Sequence, residues 1–252
     1  GFLADYPWHI AYCGDFDICG FRRPQSYYRE IVWGGRTAPY IAVYRPEHHG
    51  KKGVLSAWAW DDVAESWTWP GYEGKPVDID VYSDAEEVEL FINEKSLGRR
   101  KAGKEHRYTA SFSTVYEPGT VTAAAYAGGS EISRSSLATS GPAVKLSMTS
   151  DRSELKADGQ DLAYITVTIE DAEGRRVVPA RDQIKVKVTG EGVLAGYGTG
   201  DPVSEEGYAG CVRSAHEGRV LVIVRTTGTP GRITVSAGAG QCGSADITLI
   251  SG

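Results

Sequence analysis

The sequence predicts an all-β protein with two immunoglobulin-like β-sandwich domains, preceded by a short strand-helix segment. Helical periodicity is confined to the stretch between Pro24 and Trp33. After Gly35, apolar and polar residues alternate, which is typical of strands with one buried face. Pro-Gly turns at Pro118 and Pro230 each precede a similar strand-like stretch, as expected if both halves share one architecture.

The first predicted element is a helix that begins at Pro24 and ends at Gly34-Gly35. Proline suits the first turn, where its missing N–H would have no helical partner. A helix of about three turns cannot bury its apolar side alone. We therefore expect its packing partner to lie upstream of Gly1, and the apolar side to be exposed without that partner. This side carries Tyr27, Tyr28, Ile31 and Trp33.

Residues 37–141 and 142–252 are predicted to be the two sandwiches, with the boundary at Ser140-Gly141-Pro142. The run from Val220 to Val224 is apolar enough for a central strand. The glycines around Tyr197 favour a bulge or a tight bend over a phosphate loop. The alternating positions expected to be buried are Val77, Ile79, Val81, Val88, Leu90, Ile92, Ile165, Val167, Ile169, Ile184, Val186 and Val188.

Composition excludes several function classes. Of 252 residues, 41% are hydrophobic, which is enough to form buried cores. The net charge of −6 argues against a positively charged surface that would bind nucleic acid. No apolar run approaches a membrane span of about 18 residues. Four cysteines without close paired spacing predict free thiols and no metal site, although a Cys211–Cys242 bridge stays open.

Four tryptophans form the densest aromatic cluster. Spacing at i and i+2 would place each pair on one sheet face, so the four indoles could stack on sugar rings as a carbohydrate-binding platform. Tryptophan more often fills a core or an interface, and we favour that interpretation. The four residues are Trp58, Trp60, Trp67 and Trp69.

Catalytic residues are not evident. Catalysis by a carboxylate nucleophile and a carboxyl acid/base needs two such groups facing each other about 5 Å apart, whereas the adjacent acidic pairs here occur in loop or strand-edge contexts. Asp15 and Asp17 are better placed, but Asp15 also suits a bracing role before the helix. We assign no catalytic residue, no metal and no cofactor.

Several strings in the chain resemble glycoside hydrolase family 2 enzymes of the β-galactosidase type. The string from Gly14 to Trp33, GDFDICGFRRPQSYYREIVW, resembles the end of their catalytic (β/α)8 barrel. The resemblance continues in family order to the last accessory domain. The further strings are SWTWPG from Ser66, EGKP from Glu73, VELFIN from Val88, YEPG from Tyr116, ADGQDL from Ala157 and GYGTGDP from Gly196.

This resemblance implies that residues 1–36 are the terminal piece of the barrel. Both catalytic glutamates of the family lie upstream, so the chain alone is expected to be inactive while its parent hydrolyses terminal β-galactosides with retention. Trp8, near the last barrel strand, would line the sugar subsite. The expected partners are the upstream barrel and its carbohydrate substrate; a homo-oligomer stays open, and a secreted or periplasmic parent is favoured.

Other functions remain open from sequence. The family also includes β-glucuronidases and β-mannosidases, and the residues that separate these sugars lie in the barrel. An autonomous carbohydrate-binding module using the tryptophan cluster is the main alternative. An adhesin-like array of immunoglobulin-like domains is a third, suggested by residues 142–252.

Overall fold

The computed structural model describes residues 6–10, 13–51 and 59–252. The chain divides into two compact units. The first contains Phe21–Thr139 together with residues 10–17, and the second contains Ser140–Gly252 together with Tyr6–His9 and Ile18–Gly20. Over the described residues both units are β-sandwiches, with one α-helix and three short 3₁₀ turns. The all-β prediction is confirmed.

The first unit has two antiparallel four-stranded sheets, in the orders β2-β1-β3-β6 and β5-β4-β7-β8. Asn93 and Glu94 connect β4 to β5 with positive φ angles of 47° and 67°, as a tight hairpin turn requires. The strands are β1 (Tyr40–Tyr44), β2 (Val63–Ala64), β3 (Pro76–Tyr82), β4 (Glu87–Ile92), β5 (Lys95–Lys101), β6 (Thr109–Val115), β7 (Thr120–Ala127) and β8 (Ser130–Ala138).

The core of the first unit lies between its two sheets, and the predicted alternation supplies it. Each strand sends every second side chain inward, because side chains alternate between the two faces of a sheet. The side chains that β3 and β4 contribute to this core are the predicted ones, Val77, Ile79, Val81, Val88, Leu90 and Ile92.

Helix α1 (Pro24–Val32) begins and ends as predicted but packs differently. Gly34 N–H donates to Ile31 C=O and Gly35 N–H donates to Glu30 C=O, a Schellman ending in which Gly34 has φ +74°. Ile31 is buried against the outer face of the sheet that contains β1 and β3. The expectation of an upstream packing partner is therefore wrong for this side of the helix, because the first unit itself covers it.

The second unit has a five-stranded sheet, β10-β17-β16-β12-β14, and a four-stranded sheet, β13-β15-β11-β9. The pairing of β13 with β15 shifts register between Leu194 and Gly196, so the predicted bulge is present. The strands are β9 (Lys145–Ser150), β10 (Glu154–Leu155), β11 (Leu162–Glu170), β12 (Gln183–Gly190), β13 (Gly192–Gly198), β14 (Val212–Ser214), β15 (Arg219–Thr226), β16 (Gly231–Gly238) and β17 (Ser244–Ser251).

The core of the second unit also follows the predicted alternation. The strand from Val220 to Val224 pairs with strands on both sides, as its apolar sequence suggested. The predicted positions Ile165, Val167, Ile169, Ile184 and Val186 are buried, and Val188 packs partly buried against them.

Candidate functional site

Two of the four clustered tryptophans are core residues of the first unit. Trp67 is 1% exposed, donates from Nε1 to the Glu117 carbonyl at 3.0 Å and packs edge-on against Tyr116 at 5.1 Å between ring centres. Trp69 is also buried. Trp58 lies outside the described residues. A platform of four exposed indoles is therefore wrong, because two of the rings are covered by the sandwich.

Trp60 belongs instead to an aromatic cluster beneath helix α1. The Tyr28 ring packs edge-on against the rings of Trp60 and Tyr82, with ring centres 5.2 Å and 5.3 Å apart. Tyr27 stacks on Tyr40 at 4.4 Å. These rings fill the space between the helix and the outer sheet face. Of the apolar side of the helix, which was expected to be exposed, only Trp33 is exposed, at 80%.

A cluster of titratable side chains lies beside these rings. Asp80 is buried and accepts hydrogen bonds from Ser111 Oγ at 2.6 Å and from Tyr44 Oη at 2.9 Å. Burial raises the pKa of the Asp80 carboxyl above its usual value, and the two hydrogen bonds oppose that rise. Burial and the charge of Asp80 raise the pKa of Tyr44 well above its usual range. No sequence pattern predicts this group, since its members are distant in the chain.

Raised carboxyl pKa values occur at catalytic sites, but both oxygens of Asp80 are already hydrogen-bonded within the fold. One of its oxygens accepts from Ser111 and the other from Tyr44. In the same unit, Asp62 is held by Arg45 at 3.3 Å and by His48. With their oxygens engaged by neighbours, these carboxylates are suited to stabilising the fold around the cluster.

The acidic residues before helix α1 also serve the local structure. Asp15 forms an ion pair with Arg29, and the Asp15 carbonyl accepts from Arg23 N–H at 2.8 Å. The Asp17 carboxylate accepts from Phe21 N–H at 2.9 Å. These three contacts fix the turn that leads into the helix, which is the bracing role considered for Asp15.

The described residues contain no group of three or more His, Cys, Asp and Glu side chains arranged to hold a metal ion. The four cysteines are free; Cys13 and Cys211 are exposed, and Cys242 is buried. The Cys211–Cys242 bridge that the sequence left open is therefore not formed. No described helix is long and apolar enough to cross a membrane.

A groove of about 600 Å³ lies on the outer face of the sheet that contains β4 and β7. Within it, the Arg134 guanidinium lies 5.5 Å from the centre of the Phe91 ring and donates two hydrogen bonds of 2.8 Å each to the Glu131 carboxylate. Alternation alone could have placed Phe91 on this face, between the inward Leu90 and Ile92. The lining residues are Phe91, Asn93, Glu94, Thr120, Thr122 and Arg134.

Trp8, the candidate sugar-contacting residue, is partly buried in the second unit. Its neighbour His9 donates from its backbone N–H to the Pro202 carbonyl at 2.8 Å. The His9 ring Nε2 lies 2.8 Å from the Ser204 carbonyl. A segment near the start of the chain is thus attached to a loop about 195 residues away.

Comparison with known proteins adds the family. Residues 146–248 match the profile described as glycoside hydrolase family 2 C-terminal domain 5, and residues 74–133 match a domain of unknown function, DUF4982. A crystal structure of a family 2 member from Bacteroides cellulosilyticus superimposes with a TM-score of 0.91 at 35% identity, over 98% of this chain and 32% of that one. The chain belongs to glycoside hydrolase family 2 and corresponds to the C-terminal region of these enzymes.

Curated relatives agree with this family 2 assignment. The β-galactosidase BoGH2A of Bacteroides ovatus is 30% identical over 92% of this chain and 24% of its own length. A β-glucuronidase of Formosa agariphila is 28% identical over 62% of this chain and 16% of its own length. The family 2 chain thus spans about a quarter or less of these two curated relatives.

Proposed function

We propose that this chain is a non-catalytic C-terminal region of a family 2 enzyme that hydrolyses terminal β-galactosides with retention. The observation that carries the proposal is the 30% identity to BoGH2A over 92% of the chain. About three quarters of that relative lies outside the matched region, which leaves ample length for a catalytic domain. The two sandwiches would brace that domain or shape the rim of its cleft.

The chemistry of the described carboxylates supports a structural role. Retaining hydrolysis needs a nucleophile and an acid/base carboxyl facing each other across the scissile bond. The buried Asp80 and Asp171 both accept several internal hydrogen bonds, and Asp15 is paired with Arg29. We infer that the catalytic pair is supplied by the upstream domain.

The proposal keeps the domain limits from the sequence, with residues 1–36 as the end of the catalytic barrel and residues 37–141 and 142–252 as accessory sandwiches. It also keeps Trp8 as a residue that lines the sugar subsite. An indole can stack on the apolar face of a sugar ring without taking part in bond cleavage. Replacing Trp8 with alanine in the parent should therefore raise KM and leave kcat nearly unchanged; an unchanged KM would remove this role.

A β-glucuronidase parent is the second candidate, favoured by the relative from Formosa agariphila. The two candidates differ in whether the sugar carries a carboxylate at C6. The upstream domain must recognise that group, so this chain does not distinguish them.

The test is to assay the parent polypeptide and this 252-residue chain in parallel on aryl β-galactoside and aryl β-glucuronide. We expect the parent to cleave the galactoside and the chain alone to cleave neither. Preference for the glucuronide would select the second candidate. Cleavage of either substrate by the chain alone would contradict the non-catalytic role. A parent that cleaves neither substrate would contradict the proposed activity.

A further inference from the structure

The segment that carries Trp8 is held by a loop of the C-terminal sandwich, residues 199–211, which connects β13 to β14 (the β13–β14 loop). Two carbonyls of this loop, at Pro202 and Ser204, face one residue, His9. One accepts from the His9 backbone and the other from its ring, each at 2.8 Å. Since the ring contact ends on a carbonyl, which only accepts, His9 Nε2 must carry the proton and donate.

The conformation of the β13–β14 loop is stabilised by hydrogen bonds that do not involve His9. Val203 N–H donates to the Asp201 carboxylate at 3.0 Å, and Glu206 N–H donates to Ser204 Oγ at 3.2 Å. The Glu206 carboxylate accepts from both the backbone N–H and the hydroxyl of Ser214, at 3.0 Å and 2.9 Å. These bonds set the direction of the two carbonyls, so the loop presents a fixed pair of acceptors.

A buried cation supports the base of the loop. Arg213 is 5% exposed and donates from Nε to the Tyr197 carbonyl at 3.0 Å. A Cβ placed on Gly210 would lie 3.0 Å from Arg213 Nη1, so the loop backbone passes close over the guanidinium. Tyr197 N–H also donates to the Tyr208 carbonyl at 3.1 Å, which closes the loop.

We propose that the β13–β14 loop positions the sugar subsite of the parent enzyme, with His9 as the positioning residue through which it holds Trp8. The inference rests on the proposed function, which places Trp8 in that subsite. A side chain that stacks on a sugar must be held within a fraction of an ångström, because small misplacements weaken binding. The C-terminal sandwich thereby contributes to substrate affinity through a contact that involves no sugar.

The test uses the full-length parent with His9→Ala, His9→Gln and, as a matched control, His106→Ala on an exposed 3₁₀ turn of the first unit. Loss of the ring hydrogen bond should raise KM for an aryl β-galactoside about threefold to tenfold, with kcat within about twofold of the wild type. Glutamine carries an amide N–H at nearly the reach of Nε2, so His9→Gln should restore KM. His106→Ala should match the wild type.

A second variant, Glu206→Ala, loosens the loop from its other end and should raise KM in the same direction, so the test does not depend on one variant folding. An inactive wild-type parent would overturn the proposed function. An active parent with unchanged KM in both His9→Ala and Glu206→Ala would overturn the positioning role and leave the proposed function intact. A raised KM that His9→Gln fails to restore would overturn the role assigned to the His9 hydrogen bond.

Discussion

The buried carboxylate of Asp171 provides a quantitative test of how the second unit is stabilised. Its side chain is 0% exposed and accepts from Gly141 N–H at 2.8 Å, from Arg175 N–H at 2.8 Å and from Arg175 Nε at 2.7 Å. Burial opposes its ionisation, but these hydrogen bonds outweigh burial and lower the pKa of Asp171 to about 2. Asparagine keeps the shape of the side chain but turns an NH₂ group toward two of the donors.

The pKa gives the size of the expected loss. A fall from the usual 3.8 to about 2, at about 1.4 kcal/mol per pKa unit, corresponds to about 2 kcal/mol of stability at neutral pH. The Arg175 side chain is 40% exposed, so solvent screens part of this, and we expect Asp171→Asn to cost about 1–2 kcal/mol. Because the folded pKa is depressed, the contribution is present above about pH 4 and disappears as pH falls towards 2.

The assay is peptide-resolved hydrogen exchange in urea at pH 6.5 and pH 3, with peptides from β11 and β15 reporting the second unit. Peptides from β3 and β4 in the first unit serve as an internal control. About half of the difference between wild type and Asp171→Asn should be lost at pH 3. The control variant Glu173→Gln, in the same turn with its side chain 62% exposed, should change stability by less than about 0.5 kcal/mol. A cost that is equal at both pH values would refute the electrostatic reasoning.

Two further predictions concern the first unit. Trp67→Ala should destabilise it by about 3–5 kcal/mol in urea unfolding, because a large cavity and an unpaired Glu117 carbonyl remain, whereas Trp33→Ala should be nearly neutral; similar costs for both would contradict the burial. Gly119→Ala should lower the free energy of unfolding by about 1–3 kcal/mol, since Gly119 has φ +134° and the added Cβ would overlap Asn93 Oδ1. An unchanged midpoint for Gly119→Ala would show that Asn93 moves at no cost.

Strand positions and turns could be predicted from the sequence because their signals are local. Val77, Ile79 and Val81 alternate with aspartates, and a strand sends such neighbours to opposite faces. Pro24 and Gly34 mark the ends of helix α1 for equally local reasons, a fixed φ at the start and a positive φ after the end. The all-β class and the family resemblance both follow from such short strings.

The candidate site could be predicted only in part. The role of Trp8 stays a prediction from its position in the chain, and neither its attachment through His9 nor the grouping of Tyr44 with Asp80 has a local sequence signal. The tryptophan spacing is compatible with both a sugar platform and a core, although the core is the favoured interpretation. The structure shows Trp67 buried in the core of the first unit.

Local patterns in the sequence were therefore enough to specify the class of fold, the positions of several strands and the family. Which side chains are buried, and which distant residues are in contact, depends on the tertiary structure. Examples are the packing of helix α1 on β1 and the contact of His9 with Ser204. The physical reason is range: alternation and capping act over a few residues, whereas burial depends on which sheet face lies opposite. A contact across about 195 residues leaves no periodic signal in the chain.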